Sequence, residues 1–282
     1  MTTGLFIAGT ERGVGSTTVA AALAAVLVRR GLKVGVMKPV AVACPLDDHQ
    51  PLELAGLPGQ AQAAETLRGL NRLAALAGPA PPVTLAPQAA LLAVEATRLL
   101  AAARTRADAE LACPYRFAAD LEPAAAARAA GRAIETAVVR AACSTLAADA
   151  DVMLVDGTGG LMVPLDDEAL MVDLVQQLEL AVLLVAPSRV WGAINGCLMA
   201  AELLRRRDVP LAGVVLNRLT ARPAGEEAVN PYQLEQHGLL VHGLLPWLEP
   251  AQLEDLDQLA RRFEVHVDID RILARIWGQT PG

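Results

Sequence analysis

One stretch limits what this chain can fold into more than any other. Gly4-Leu5-Phe6-Ile7-Ala8 is followed by Gly9-Thr10-Glu11-Arg12-Gly13-Val14-Gly15-Ser16-Thr17-Thr18, and then by the alanine-rich, helix-patterned run from Val19 to Arg30. Strand, glycine loop and helix in that order make a phosphate cradle. Gly13 and Gly15 let backbone N–H groups turn inward around an anion, and the helix N-terminus adds its partial positive charge. Gly13, Val14, Gly15, Ser16, Thr17 and Thr18 are therefore candidate nucleotide-phosphate ligands, with Thr17 also a candidate Mg²⁺ ligand. The usual loop ends Gly-Lys-Ser/Thr, its lysine reaching the β- and γ-phosphates. Here Ser16 occupies the lysine position, so one positive charge that would face ATP is missing.

Leu32 to Val40 reads as a second strand, entered through Gly31. A βαβ unit places the C-terminal ends of its parallel strands on one sheet edge, so Lys38 is expected beside the glycine loop. The chain has two lysines, Lys33 and Lys38, and otherwise uses arginine. A compact ammonium at that edge suits a phosphoryl group in transfer, and Lys38 is the candidate catalytic residue.

Beyond Ala41 the chain becomes irregular, with prolines around two alanine-leucine segments, Ala61 to Leu76 and Pro87 to Ala103. The second is amphipathic, with Glu95, Arg98 and Arg104 among its apolar residues, and a helical lid over one end of the sheet is expected. Asp47, Asp48 and His49 precede these segments and read as a solvated acidic loop. Ala124 to Leu146 reads as one long helix. Val152 to Val155 reads as a buried strand ending in Asp156 and a glycine turn through Gly157 and Gly159, which places a carboxylate opposite Thr17 as the second metal ligand. The rest alternates strand and helix: strands at Ala181 to Ala186, Gly213 to Leu216 and Leu239 to Leu245, and helices at Ala193 to Arg206, near Tyr232, at Ala251 to Phe263 and at Ile269 to Ile276.

Composition narrows the alternatives. The 282 residues suit one sizeable α/β domain, and the hydrophobic fraction of 54% is largely alanine, which points to helices and not to a membrane. There is no long apolar run and no basic flank before the first strand, so a soluble, cytoplasmic protein is expected. A formal charge of −7 disfavours nucleic acid and anionic lipid as partners. Cys44, Cys113, Cys143 and Cys197 lie far apart without metal-ligand spacing, and are expected to be reduced and buried.

Taken in order, these pieces resemble the dethiobiotin synthase family: Gly9-Thr10-Glu11 with Gly13-Val14-Gly15 and Thr17; Lys38-Pro39-Val40; Pro114-Tyr115-Arg116-Phe117; Asp156-Gly157-Thr158-Gly159-Gly160; Gly192-Ala193-Ile194-Asn195; Ala212 to Asn217; and Pro246-Trp247-Leu248. The Lys-Pro-Val strand end and the Gly-x-Ile-Asn helix start separate it from a ParA/MinD-type positioning ATPase. The resemblance implies a single phosphate-loop domain over 1–282, mainly parallel with helices on both faces and elaborated at about 45–112. It also implies a homodimer with sites at the interface, and ATP and Mg²⁺ as cofactors. The implied reaction closes a cyclic urea from 7,8-diaminononanoate and CO₂ through a carbamate that attacks the γ-phosphate. By position, Thr17 and Asp156 would hold Mg²⁺, Lys38 would stabilise the carbamate and the phosphoryl group, and Asn217 with Leu245, Pro246 and Trp247 would meet the base.

Several positions depart from the family pattern. Ser16 replaces the loop lysine, Arg12 stands where a small hydroxyl residue meets substrate, Val42 replaces a serine near the carbamate, and Gly196 replaces a histidine. Asp156 stands for a glutamate, and Asp48 and Glu65 are the candidates for a second metal carboxylate. Arg12 is expected to restore charge at the loop. The alternative to the ligase is a diverged homologue that binds nucleotide or a partner protein without catalysis.

Overall fold

A computed structural model describes residues 3–45, 91–188, 192–222, 227 and 229–278. Its elements in chain order are β1 (Gly4–Gly9), α1 (Ser16–Arg29), β2 (Val34–Met37), β3 (Val40–Ala41), α2 (Val94–Ala102), α3 (Ala109–Ala112), β4 (Tyr115–Arg116), α4 (Pro123–Ala129), α5 (Thr136–Ala147), β5 (Val152–Asp156), α6 (Met171–Leu178), β6 (Ala181–Pro187), α7 (Ala193–Arg206), β7 (Leu211–Asn217), α8 (Val229–Gln236), β8 (Val241–Leu245), α9 (Pro250–Glu254), α10 (Leu256–His266) and α11 (Ile269–Trp277). Six strands form one sheet in the order β2-β5-β1-β6-β7-β8, every neighbouring pair parallel. β3 and β4 pair in a small parallel sheet of their own.

Parallel strands covered on both faces need apolar residues at consecutive positions, and the period of two sends alternate residues to opposite sides. Leu5 and Ile7 of β1, Val152 and Leu154 of β5, and Leu183 and Val185 of β6 point into one core, which holds α1, α10 and α11. Phe6 and Ala8, Met153 and Val155, and Val182 and Leu184 point into the other, against α5, α6 and α7. α1 is buried without interruption from Val19 to Leu27. Its alanines let it lie close to β1 and β5 while α2 and α10 pack on its other sides. A larger side chain at those positions would overpack the interface.

The strand and helix alternation matches the sequence reading, with four differences. The strand expected over Leu32 to Val40 stops at Met37, because the backbone N–H of Lys38 turns away to donate to the Ala112 carbonyl at 2.7 Å. The helix expected from Pro87 is described from Val94. The single helix expected over Ala124 to Leu146 is two, separated at Gly131 (φ 64°), where Gly131 and Arg132 donate back to Arg128 and Ala127 and close the last turn of α4. The helix expected over Ala251 to Phe263 is likewise broken. Asp255 is extended, and its carboxylate caps α10 by accepting from Asp257 and Gln258. The segment Ala61 to Leu76, Asp47, Asp48, His49 and Glu65 lie outside the described residues. Among the described residues no helix is long and apolar enough to cross a membrane.

All four cysteines are buried and free. Burial raises the Cys113 and Cys197 thiols to about 12 and the Cys143 thiol to about 11, so they are neutral packing groups at physiological pH.

Candidate active site

The sheet's connectivity assembles the site. Because all six strands run the same way, the loops after β1, β2, β5, β7 and β8 emerge on one edge, and β1 is central. The loop after β1 enters α1 through Gly15 at φ 84°, and no side chain caps the helix. The first-turn amides of a helix have no intrahelical acceptor, so this N-terminus is open to an anion. Gly15 is required for a second reason: a Cβ there would lie 2.3 Å from Nδ2 of Asn217. Asn217, at the end of β7, donates that Nδ2 to the Val14 carbonyl at 2.8 Å and thereby braces the loop.

A cavity of about 460 Å³ opens over the loop. Gly13, Ser16, Thr17 and Thr18 line one side, Lys38 and Gly157 its floor, and Val42, Glu95 and Arg98 the remainder. Lys38 and Asp156 are buried to within 2% of complete. Lys38 Nζ donates to Asp156 Oδ2 at 2.9 Å and to the Gly157 carbonyl at 2.9 Å, and Glu95 Oε2 lies 3.1 Å away. Thr17 Oγ1 donates to the same Asp156 oxygen at 2.5 Å. Thus α1, the end of β2 and the end of β5 are joined at one carboxylate oxygen.

The electrostatics follow from that geometry. Burial alone pulls the pKa of the Lys38 ammonium down, but the nearby Asp156 and Glu95 carboxylates outweigh it and the net direction is upward. Lys38 is therefore cationic at neutral pH, while burial pushes the Asp156 carboxyl upward against the opposing pull of Lys38 and the Thr17 hydroxyl. The other Asp156 oxygen, Oδ1, is buried with no hydrogen-bond partner. A hydroxyl, a carboxylate with an unused acceptor and adjacent phosphates are the hard-oxygen donors that Mg²⁺ takes, usually with several waters. The residues present fit that ion. Among the described residues no set of three or more His, Cys, Asp or Glu side chains is clustered for a metal.

The other expected site residues fall into place unevenly. Gly159 lines the cavity beside Gly157, and the hydroxyl of the intervening Thr158 donates to the Val40 carbonyl. Leu245 is buried in the core, Pro246 and Trp247 are half-buried, and none of the three lines the cavity. Arg12 does line it, but its guanidinium is ion-paired with Asp120 and more than half exposed. Glu95 and Arg98 were read from the sequence only as the polar face of an amphipathic segment. One turn apart on α2, they contribute a carboxylate and a guanidinium to the site. A second, larger groove of about 1180 Å³ begins on the far side of Arg12 and runs past Gly160, Met162, Asn195, Gly196 and Met199.

A phosphate-cradling loop in the middle of a parallel sheet, faced by a strand-end carboxylate and a buried lysine, defines a phosphate-loop protein. The family model described as an AAA domain matches residues 88–254. The ATP-dependent dethiobiotin synthetase of Anaeromyxobacter dehalogenans is 36% identical over 248 residues, covering 86% of this chain and 90% of that protein. The enzyme of the same name from Nitrosospira multiformis is 33% identical, with 91% and 93% covered, and that from Bacillus licheniformis is 27% identical, with 96% and 95% covered. The chain belongs to the dethiobiotin synthetase family.

Removing the cation from a buried pair leaves an uncompensated carboxylate. Lys38→Met is expected to cost about 3–5 kcal/mol in urea unfolding, and adding Asp156→Asn to recover much of it. Since the lysine's folded pKa is raised, its contribution is fully present below the ordinary value of 10.5 and is lost as pH rises through the raised one. The cost of Lys38→Met should therefore be flat from neutral pH to about pH 9. A loss below about 1 kcal/mol would show that solvent screens the pair.

Proposed function

We propose that this chain is an ATP-dependent cyclo-ligase that converts 7,8-diaminononanoate and CO₂ to dethiobiotin. The observation that carries the proposal is the convergence of Thr17, Lys38 and Asp156 on the floor of a cavity walled by the glycine loop. In the reaction, one amine captures CO₂ as a carbamate, the carbamate oxygen takes the γ-phosphoryl group of ATP, and the second amine displaces phosphate and closes the urea ring.

The protein's share of this chemistry is positioning and charge neutralisation. Backbone amides from Gly13 to Thr18 hold phosphate oxygens. Thr17 and Asp156 would hold Mg²⁺, which supplies positive charge against the phosphates when bound. Asp156 and the Gly157 carbonyl fix the Lys38 ammonium in place, so its remaining N–H capacity is preorganised toward carbamate and phosphoryl oxygens. Glu95 is 47% exposed and is the partner of Lys38 that an incoming anion would displace. Asn217 keeps the loop in shape through Val14 and, with Pro246 and Trp247 beyond it, is assigned to the base side of the nucleotide.

The apolar groove beyond Arg12 suits the aliphatic chain of the diamine, and its exposed Met162 and Met199 suit a second copy of this chain as the wall that closes it. A second reading, nucleotide binding without turnover, draws on Ser16 and on Gly196. A Cβ at Gly196 would lie 3.2 Å from the Thr10 side chain, so the family's histidine would require Thr10 to give by a few tenths of an ångström.

Mass spectrometry of reactions with diaminononanoate, bicarbonate and Mg-ATP is expected to detect dethiobiotin from the wild-type protein and at least about 100-fold less from Lys38→Ala, the scale of losing one preorganised charge. Product absent from folded wild-type protein would favour the binding reading. Sedimentation is expected to give a dimer at micromolar concentration that Met199→Lys shifts toward monomer. A wild-type monomer would remove the second copy from the site.

A further inference from the structure

The missing loop lysine leaves an electrostatic deficit that the structure allows to be traced. ATP brings several negative charges to a loop whose own cation is replaced by Ser16. Lys38 is held between Asp156 and Glu95, and Arg12 is turned to Asp120. Arg98 is a further cation on the wall of the same cavity, which it shares with Gly13, Ser16, Thr17, Thr18 and Lys38.

Its setting differs from that of the surface arginines. Arg98 follows Glu95 by three residues on α2, so the two side chains leave the helix on one face. Glu95 reaches Lys38, which turns that face toward the phosphate loop. The Arg98 side chain is half-buried, its Nη2 donates to the Leu253 carbonyl at 2.6 Å, and its Nε is buried without a hydrogen-bond partner. Among the described residues no carboxylate lies within ion-pair distance of it. A guanidinium removed from water, tied at one corner to a neutral carbonyl and short of an anion, is poised for an oxyanion. Burial accordingly pulls its pKa down, with Glu254 offsetting only part of the effect.

We propose that Arg98 is a nucleotide-phosphate ligand that takes over the charge lost at Ser16, an assignment that rests on the ATP-binding reading above. The loop lysine of an ordinary phosphate loop arrives from α1; here the charge arrives from α2, across the cavity. The bond to Leu253 fixes the direction of the guanidinium, as a fork-shaped group requires for bidentate recognition.

The full chain should be titrated with ATP and with adenosine by displacement of a fluorescent ATP analogue. Arg98→Gln is expected to weaken ATP about tenfold or more, the scale of one charge-assisted hydrogen bond, and to leave adenosine unchanged. Ser16→Lys introduced into the Arg98→Gln chain is expected to restore ATP affinity. Wild-type affinity in Arg98→Gln, or no rescue by Ser16→Lys, would overturn the assignment. Equal losses for ATP and adenosine would also overturn it, reducing Arg98 to a strut between α2 and Leu253. Wild-type protein that binds no ATP would instead overturn the nucleotide reading itself.

Discussion

A single carboxylate oxygen ties this site together. Asp156 Oδ2 accepts from Thr17 and from Lys38, so the first turn of α1, the end of β2 and the end of β5 meet at one buried point. Taking two charges out of water is costly, and burial of this kind is weak evidence for stability. It does fix positions closely. The ammonium is held by Asp156 and by the Gly157 carbonyl, and the loop hydroxyl is held against the same acid. A reaction that consists of placing anions against cations needs that order before substrate arrives, not after.

The fold makes such a point possible through two simple features. A wholly parallel sheet collects its strand ends on one edge, and the central position of β1 sets the glycine loop between β5 on one side and β6 on the other. The alanine surface of α1 then lets the helix lie against the sheet while α2 packs on its outer side. The same packing delivers Glu95 and Arg98 to the cavity over the loop. The phosphate loop's lost lysine is thus embedded in a neighbourhood where acid and base from another helix are within reach.

Much of this was legible because it is local. The loop glycines, Thr17, Lys38 at a strand end and Asp156 at another are marked by patterns of a few residues, and the βαβ rule alone puts them on one edge. What was not legible depends on contacts distant in sequence. Arg98 sits in an ordinary amphipathic pattern, and only its bond to Leu253 and its place on the wall of the cavity that Ser16 also lines distinguish it from Arg104, which pairs with Asp257 at the surface. The direction of Arg12 was open in the same way, because Asp120 lies 108 residues away. The helix breaks at Gly131 and Asp255 were missed for a different reason: alanine-rich and amphipathic periodicity ran through both positions, and capping prevailed over propensity.

The central claim, that this lysine-deficient loop receives nucleotide phosphate opposite Lys38, is tested most directly by crystallography with Mg²⁺ and a non-hydrolysable ATP analogue. The account predicts density for the phosphates against the backbone of Gly13 to Thr18, with a phosphate oxygen within hydrogen-bond distance of Lys38 Nζ. Well-ordered density for the loop and Lys38 without nucleotide at saturating analogue, or nucleotide bound away from that cavity, would contradict it.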